Sequence, residues 1–170
     1  MSTNHSFPPI AAPDARILIL GSMPGQKSLE ENQYYAHPRN SFWPIIFKLL
    51  KADNELTYSG RKTLLLKNNI ALWDVLKSCY RQGSLDSNID DSSIEPNDFH
   101  HFFSEHKAIK AIFFNGAKAE QVFKKNVLKQ QDVSCMKPSY YKLPSTSPAH
   151  ASLSFEQKLM EWKKIKTFLC

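Results

Sequence analysis

Four short, mostly apolar runs punctuate the chain: residues 17–20 (Ile-Leu-Ile-Leu), 70–75 (Ile-Ala-Leu-Trp-Asp-Val), 109–114 (Ile-Lys-Ala-Ile-Phe-Phe) and 140–143 (Tyr-Tyr-Lys-Leu). Runs of this length with little polar alternation are expected of strands buried on both faces. Between them the period changes. Phe42, Ile45, Ile46, Leu49 and Leu50 recur at helical spacing, with Pro44 in the first turn, where its missing N–H does no harm. A second helical pattern covers residues 58–69 and ends in Asn68-Asn69, a pair suited to a left-handed cap. Phe99, Phe102 and Phe103 give an apolar face to a helix that Pro96 is placed to open, and Val122 and Phe123 do the same over residues 117–128. Ser154-Phe155-Glu156-Gln157 is a capping box; Phe155, Leu159, Trp162, Ile165 and Leu169 form the buried stripe of the helix it starts.

Strands alternating with helices predict a three-layer α/β/α fold, a central, mostly parallel four-stranded twisted sheet flanked by helices. Parallel strands point one way, so the turns after Leu20, Val75, Phe114 and Leu143 should gather along one edge, where open α/β sheets hold ligands. Residues 77–95 are polar and are expected to form one long loop on that edge. Residues 1–14 are expected to be a loosely ordered lead-in to a single domain spanning residues 1–170.

Composition narrows the class. The longest apolar runs are four to six residues, too short to span a bilayer, and residues 1–13 lack the basic start and apolar core of a secretory signal. Three cysteines, Cys79, Cys135 and Cys170, are widely spaced without a CxxC pair, which fits reduced thiols and argues against structural zinc or an iron–sulfur cluster. A cytoplasmic location is expected. The net charge of +6 favours a polyanionic partner. His100, His101 and His106 match no ligand spacing, so no metal is expected.

Candidate chemistry sits in the strand-end turns. Gly21-Ser22-Met23-Pro24-Gly25 is a tight turn able to offer backbone N–H groups to a ligand, with Met23 as an apolar wall. Asp74, inside an apolar run, either accepts a ring N–H or caps the following turn. Asn40 is an excellent N-cap for the helix that begins just after it. Ser145, Thr146, Ser147 and His150 are short donors suited to phosphate oxygens, with His37, Arg39, Lys27 and Lys142 as further candidates.

GSMPG after the first strand, YYAHPRNSFWPII following it, and LPSTSPAH near the end resemble the uracil-DNA glycosylase superfamily, and within it the hypoxanthine-DNA glycosylase branch. The resemblance runs from Arg16 to the C-terminus. It implies an enzyme that flips a deaminated base out of DNA and hydrolyses its glycosidic bond. In the uracil-cleaving branches an Asp or Asn precedes the proline of the first motif, and here Met23 stands there; where several branches open the second motif with His or Asn, Ser145 stands. The resemblance assigns catalysis to Asn40, base stacking to Tyr35 and base-edge reading to Asp74. Tyr34 or Tyr35 could instead only pack the loop. Relatives fill the hole left by the flipped base with a bulky leucine near Ala149; alanine is too small, which leaves that task to His150, another loop, or nothing. Neither motif contains a lysine for covalent chemistry, so a monofunctional, monomeric enzyme needing neither cofactor nor metal is expected. The rival readings are a uracil or G·U/T mismatch glycosylase and a non-catalytic nucleic-acid-binding domain. A flavodoxin-like nucleotide hydrolase is disfavoured by the lack of a GxxxxGK loop.

Overall fold

The computed structural model describes residues 2–169. Strands β2 (Ile17–Gly21), β3 (Ile70–Asp74), β6 (Ala111–Asn115) and β7 (Ser139–Leu143) form one sheet in the order β3-β2-β6-β7, and every pairing is parallel. The unbroken apolar runs have a direct cause. Leu18, Leu20, Ala71, Trp73, Ile112 and Phe114 face one core, while Ile17, Ile19, Ile70, Leu72, Ala111 and Phe113 face the other. Helices α4 (Phe99–Glu105) and α5 (Ala117–Phe123) contribute buried residues to the first core. Helices α2 (Phe42–Leu50), α3 (Tyr58–Lys67) and α6 (Phe155–Trp162) contribute to the second. The three-layer expectation holds.

Register brings the strand ends together: Gly21 lies opposite Asp74, Leu20 opposite Phe114, and Asn115 opposite Leu143. The capping box at Ser154 forms as expected, and Asn69 takes the left-handed conformation (φ 58°) after α3. Beyond α5 the chain continues as a π-helical turn, Lys124–Leu128.

Three expectations need correction. Residues 1–14 are not a loose lead-in, because β1 (Thr3–His5) pairs with β4 (Leu76–Tyr80), and Ile10 exchanges backbone hydrogen bonds with Leu72 along the edge of β3. Residues 77–95 are not one loop, because β4 also pairs with β5 (Glu95–Pro96) to complete a small antiparallel sheet. Pro96 therefore ends a strand, and α4 begins at Phe99 with the Asp98 carboxylate accepting the His101 N–H. The segment after the first turn opens with α1 (Gln26–Glu31), whose Gly25 cap makes no side-chain hydrogen bond. Among the described residues no helix is long and apolar enough to cross a membrane.

Candidate active site

Over the carboxyl edge of the parallel sheet lies a cleft of about 400 Å³, within the range of small-ligand sites. Its walls come from the Gly21–Gly25 turn, Tyr35, His37 and Asn40, Asp74, Asn115, and residues 145–150. The two motif turns, far apart in sequence, thus share one cavity. Their attachment is direct. The Asn115 side chain donates to the Thr146 hydroxyl (2.9 Å) and accepts from the Thr146 N–H (2.9 Å), and the Thr146 carbonyl accepts the Ser41 N–H (3.0 Å). Gly116 makes the approach possible: its φ of +94° suits glycine, and a Cβ there would sit 3.0 Å from that of Ser145. Trp162 Nε1 donates to the Pro144 carbonyl (3.0 Å), holding the same loop from below.

The floor of the cleft holds two unsatisfied polar atoms. Asp74 is 2% exposed and its Oδ2 has no hydrogen-bond partner; the Tyr35 hydroxyl is also buried without one. Both converge on Gly21, where a Cβ would meet Asp74 Oδ1 at 2.5 Å and Tyr35 Oη at 2.9 Å. Leaving such groups unpaired costs about 1–3 kcal/mol each. Burial, reinforced by nearby Asp86 and opposed by Arg81, lifts the Asp74 carboxyl to about 7. Burial also pushes the Tyr35 phenol far up, so it stays a neutral donor. Asp74 does not cap the next turn with its carboxylate; its carbonyl accepts from Asn97 Nδ2 (2.8 Å).

Tyr34 and Tyr35 divide the work that sequence left open between them. Tyr34 packs the loop: it is buried, its hydroxyl donates to the Pro8 carbonyl (2.8 Å), and its carbonyl accepts from Trp43 Nε1 (2.8 Å). Tyr35 lines the cleft in a left-handed conformation (φ 54°), strained for a non-glycine residue. One ring face stacks on Phe42 at 4.2 Å, and the residue lines the cleft. The α2 N-cap is Ser41, and Asn40, one residue before it, accepts the Phe42 N–H on Oδ1 (2.9 Å), a turn contact that holds the start of the helix. With Oδ1 so engaged, a second lone pair and both Nδ2 hydrogens remain free at the cleft wall.

Met23 is a buried wall residue, as expected. The Ser22 hydroxyl is committed, donating to Asp86 Oδ1 (2.6 Å). Ser145, Ser147, His150 and His37 line the cleft, half-buried. Arg39 is exposed beside it, in no ion pair among the described residues. Thr146 must be corrected as a phosphate donor: it is 1% exposed and its hydroxyl serves Asn115. Lys142 is exposed on β7 and lies outside the cleft lining. Lys27 and Lys118 border the cleft, each ion-paired, with Glu31 (2.8 Å) and Asp91 (2.9 Å). The three histidines near α4 diverge. His106 stacks on Phe102 at 4.1 Å, His101 turns to Glu105, and His100 to the Asp132 carbonyl.

Sequence reasoning misses a whole wall. Arg81 is 4% exposed and donates to the carbonyls of Pro24 (2.5 Å), Met23 (3.5 Å) and Gly83 (2.9 Å). Together with the Ser84 hydroxyl, which accepts the Gln26 N–H (2.9 Å), it clamps the first turn from behind. Asn115, which in the sequence ends a strand and starts a helix or else borders the pocket, does both and is the bolt between the motifs. A second groove of about 750 Å³ shares Tyr35, His37 and Asn40 but runs outward past Trp43, Phe47 and Arg61. It is larger, yet Asp74, Asn115 and both motif turns line the smaller cleft.

A parallel α/β domain with a walled cleft over the carboxyl ends of its strands belongs to the class of folds that hold a small ligand at that edge. Residues 8–167 match the Uracil DNA glycosylase superfamily, and the chain belongs to that family; it is a DNA glycosylase. It is 39% identical over 116 residues to a hypoxanthine DNA glycosylase of Methanosarcina barkeri, covering 68% of this chain and 72% of that one. A protein of the same name from Methanosarcina acetivorans is 38% identical over the same shares. The solution NMR structure of a Methanosarcina acetivorans protein, provisionally described as a uracil DNA glycosylase, superposes with a TM-score of 0.77 at 30% identity, covering 97% of this chain and 99% of that one.

Proposed function

We propose that the protein removes hypoxanthine from deoxyinosine in DNA by hydrolysis, leaving an abasic site. The observation that carries this reading is the unpartnered Asp74 carboxyl on the cleft floor. Raised to about 7, it is a carboxylic acid for much of the time at neutral pH. A protonated carboxyl pairs two-fold with the N1–H/C6=O edge of hypoxanthine, accepting the ring N–H on one oxygen and donating to the carbonyl from the other. That donation counters the negative charge that grows on the base as it leaves. Tyr35 offers its ring to the base, a contact worth about 1–3 kcal/mol in nucleic-acid sites.

Asn40 holds the attacking water. Its amide is fixed by the Phe42 N–H, so its remaining lone pair and hydrogens are already oriented. Water oxygen bonds to C1′, the C1′–N9 bond breaks, and the base departs with its electron pair and takes up a proton. Ser145, Ser147, His150, His37 and Arg39 grip the phosphates beside the lesion. Neither Lys27 nor Lys118 attacks the sugar, since each is a cation held by a carboxylate. The enzyme works as a cytoplasmic monomer without a cofactor.

Abasic-site yields on inosine- and uracil-containing duplexes, measured side by side, test the reading. We expect faster release of hypoxanthine, and a loss of at least tenfold in Asp74→Ala. Equal or faster release of uracil, or an Asp74→Ala variant as fast as wild type, would overturn it.

A further inference from the structure

Extruding a nucleotide unstacks the duplex and opens a hole, and proteins that hold DNA so distorted push apolar side chains between the bases. The loop over residues 145–150 carries nothing suited to this. Around the cleft it presents serines, Pro148, His150 and the small Ala149. Elsewhere on the rim stands Leu85, 50% exposed. The other large exposed apolar side chains of the described residues, Leu128, Tyr140 and Met160, line no part of the cleft.

We propose that Leu85 is the wedge, entering the duplex at the lesion and occupying the space that the extruded nucleotide vacates. The proposal rests on the base-flipping reading above. It stands on how Leu85 is presented. Its loop is closed at the base by the Arg81–Ile89 bridge. Inside, the Leu85 carbonyl accepts the Asn88 N–H (3.0 Å), and Asn88 Nδ2 donates to the Gln82 carbonyl (3.1 Å). The residues on either side are bonded to the base-holding turn: Ser84 to Gln26, and Asp86 to Ser22. Leu85, between them, is 50% exposed on the rim. Its backbone is therefore fixed relative to the pocket that receives the base, as a filler of that base's former place must be. The one carboxylate at the tip, Asp86, is turned inward onto the Ser22 hydroxyl and does not meet the phosphates.

The test compares two deoxyinosine duplexes, one with a normal base opposite the lesion and one with a pyrene nucleotide there, whose bulk keeps the lesion out of the stack. Single-turnover release is measured for wild type, Leu85→Ala, and the control Met160→Ala. We expect Leu85→Ala to lose at least tenfold on the ordinary duplex, to recover to within threefold of wild type on the pyrene duplex, and to melt at the same temperature. Met160→Ala should match wild type on both. An ordinary-duplex rate within twofold of wild type, or a tenfold loss that pyrene leaves uncorrected, overturns the wedge. Wild type releasing no base from either duplex would sink the base-flipping reading itself, a separate failure read from the wild-type arm.

Discussion

Replacing Asp74 by Asn keeps the shape of the side chain and removes its charge. Asp74 lies on the cleft floor with Oδ2 unpartnered, and burial raises its carboxyl from 3.8 to about 7. Below pH 3.8 the acid is protonated in both folded and unfolded chains, and the folded state is undisturbed. Above that, the unfolded chain gives up a proton the folded chain keeps, so stability falls as pH rises, by about 1.4 kcal/mol per unit. The fall ends once pH passes the folded value of about 7. A span of roughly three units sets a ceiling of about 4 kcal/mol, and relaxation around the buried carboxylate lowers it, so we expect about 2–4 kcal/mol. Asn carries no such dependence. Urea melts of the two proteins at pH 4.5 and 8.5 should therefore show the variant gaining about 2–3 kcal/mol on wild type between the two conditions, since part of the fall has already occurred by the lower pH. A gap that stays constant, or that closes, would refute a buried, unpaired carboxyl at this position.

Four further outcomes follow from the same geometry. Wild-type release of hypoxanthine should decline as pH rises through about 7, as the Asp74 donor is lost, whereas Asp74→Asn, whose amide keeps both a donor and an acceptor, should be flat across that range in single-turnover assays. Asn40→Ala should lose the contact with the Phe42 N–H, about 1 kcal/mol, and at least a hundredfold in release; Asn40→Ser should regain stability in thermal melts without regaining rate. Asn115→Ala strips two hydrogen bonds from buried Thr146 and should destabilise the protein by about 2–4 kcal/mol in denaturant melts. Borohydride added during turnover should trap no protein–DNA adduct, given the ion pairs of Lys27 and Lys118.

The parallel sheet is legible because three of its strands, β2, β3 and β6, are buried on both faces and so read as apolar runs, while the edge strand β7 shows only the shorter Tyr-Tyr-Lys-Leu pattern. Its direction placed both motif turns on one edge, and the Ser154 capping box and the α6 stripe followed from local rules. Strand β4 escaped notice because it buries Ser78 and Cys79 beside an exposed Lys77, and its partner β1 lies more than seventy residues away in sequence. Arg81 and Asp86 were hidden for a related reason, since charged residues in a polar stretch give no hint of burial. Thr146 misled in the opposite sense: a hydroxyl between two serines in a loop looks exposed until Asn115 is seen to reach it. Asp74 did carry a signal, an acid inside an apolar strand, but only the coordinates tell an unpaired carboxyl from a turn cap.

The two sides of the cleft hang from different supports. Asp74, Asn115 and the loop over residues 145–150 extend from the parallel sheet, whereas the loop bearing Leu85 extends from the small antiparallel sheet that includes Thr3–His5. The two supports are not independent, because Ser84 holds Gln26 and Asp86 holds Ser22 across the join between the sheets. Exchanging residues 82–87 would therefore disturb the Gly21–Gly25 turn and the surroundings of Asp74 together with the rim, unless Ser84 and Asp86 were kept.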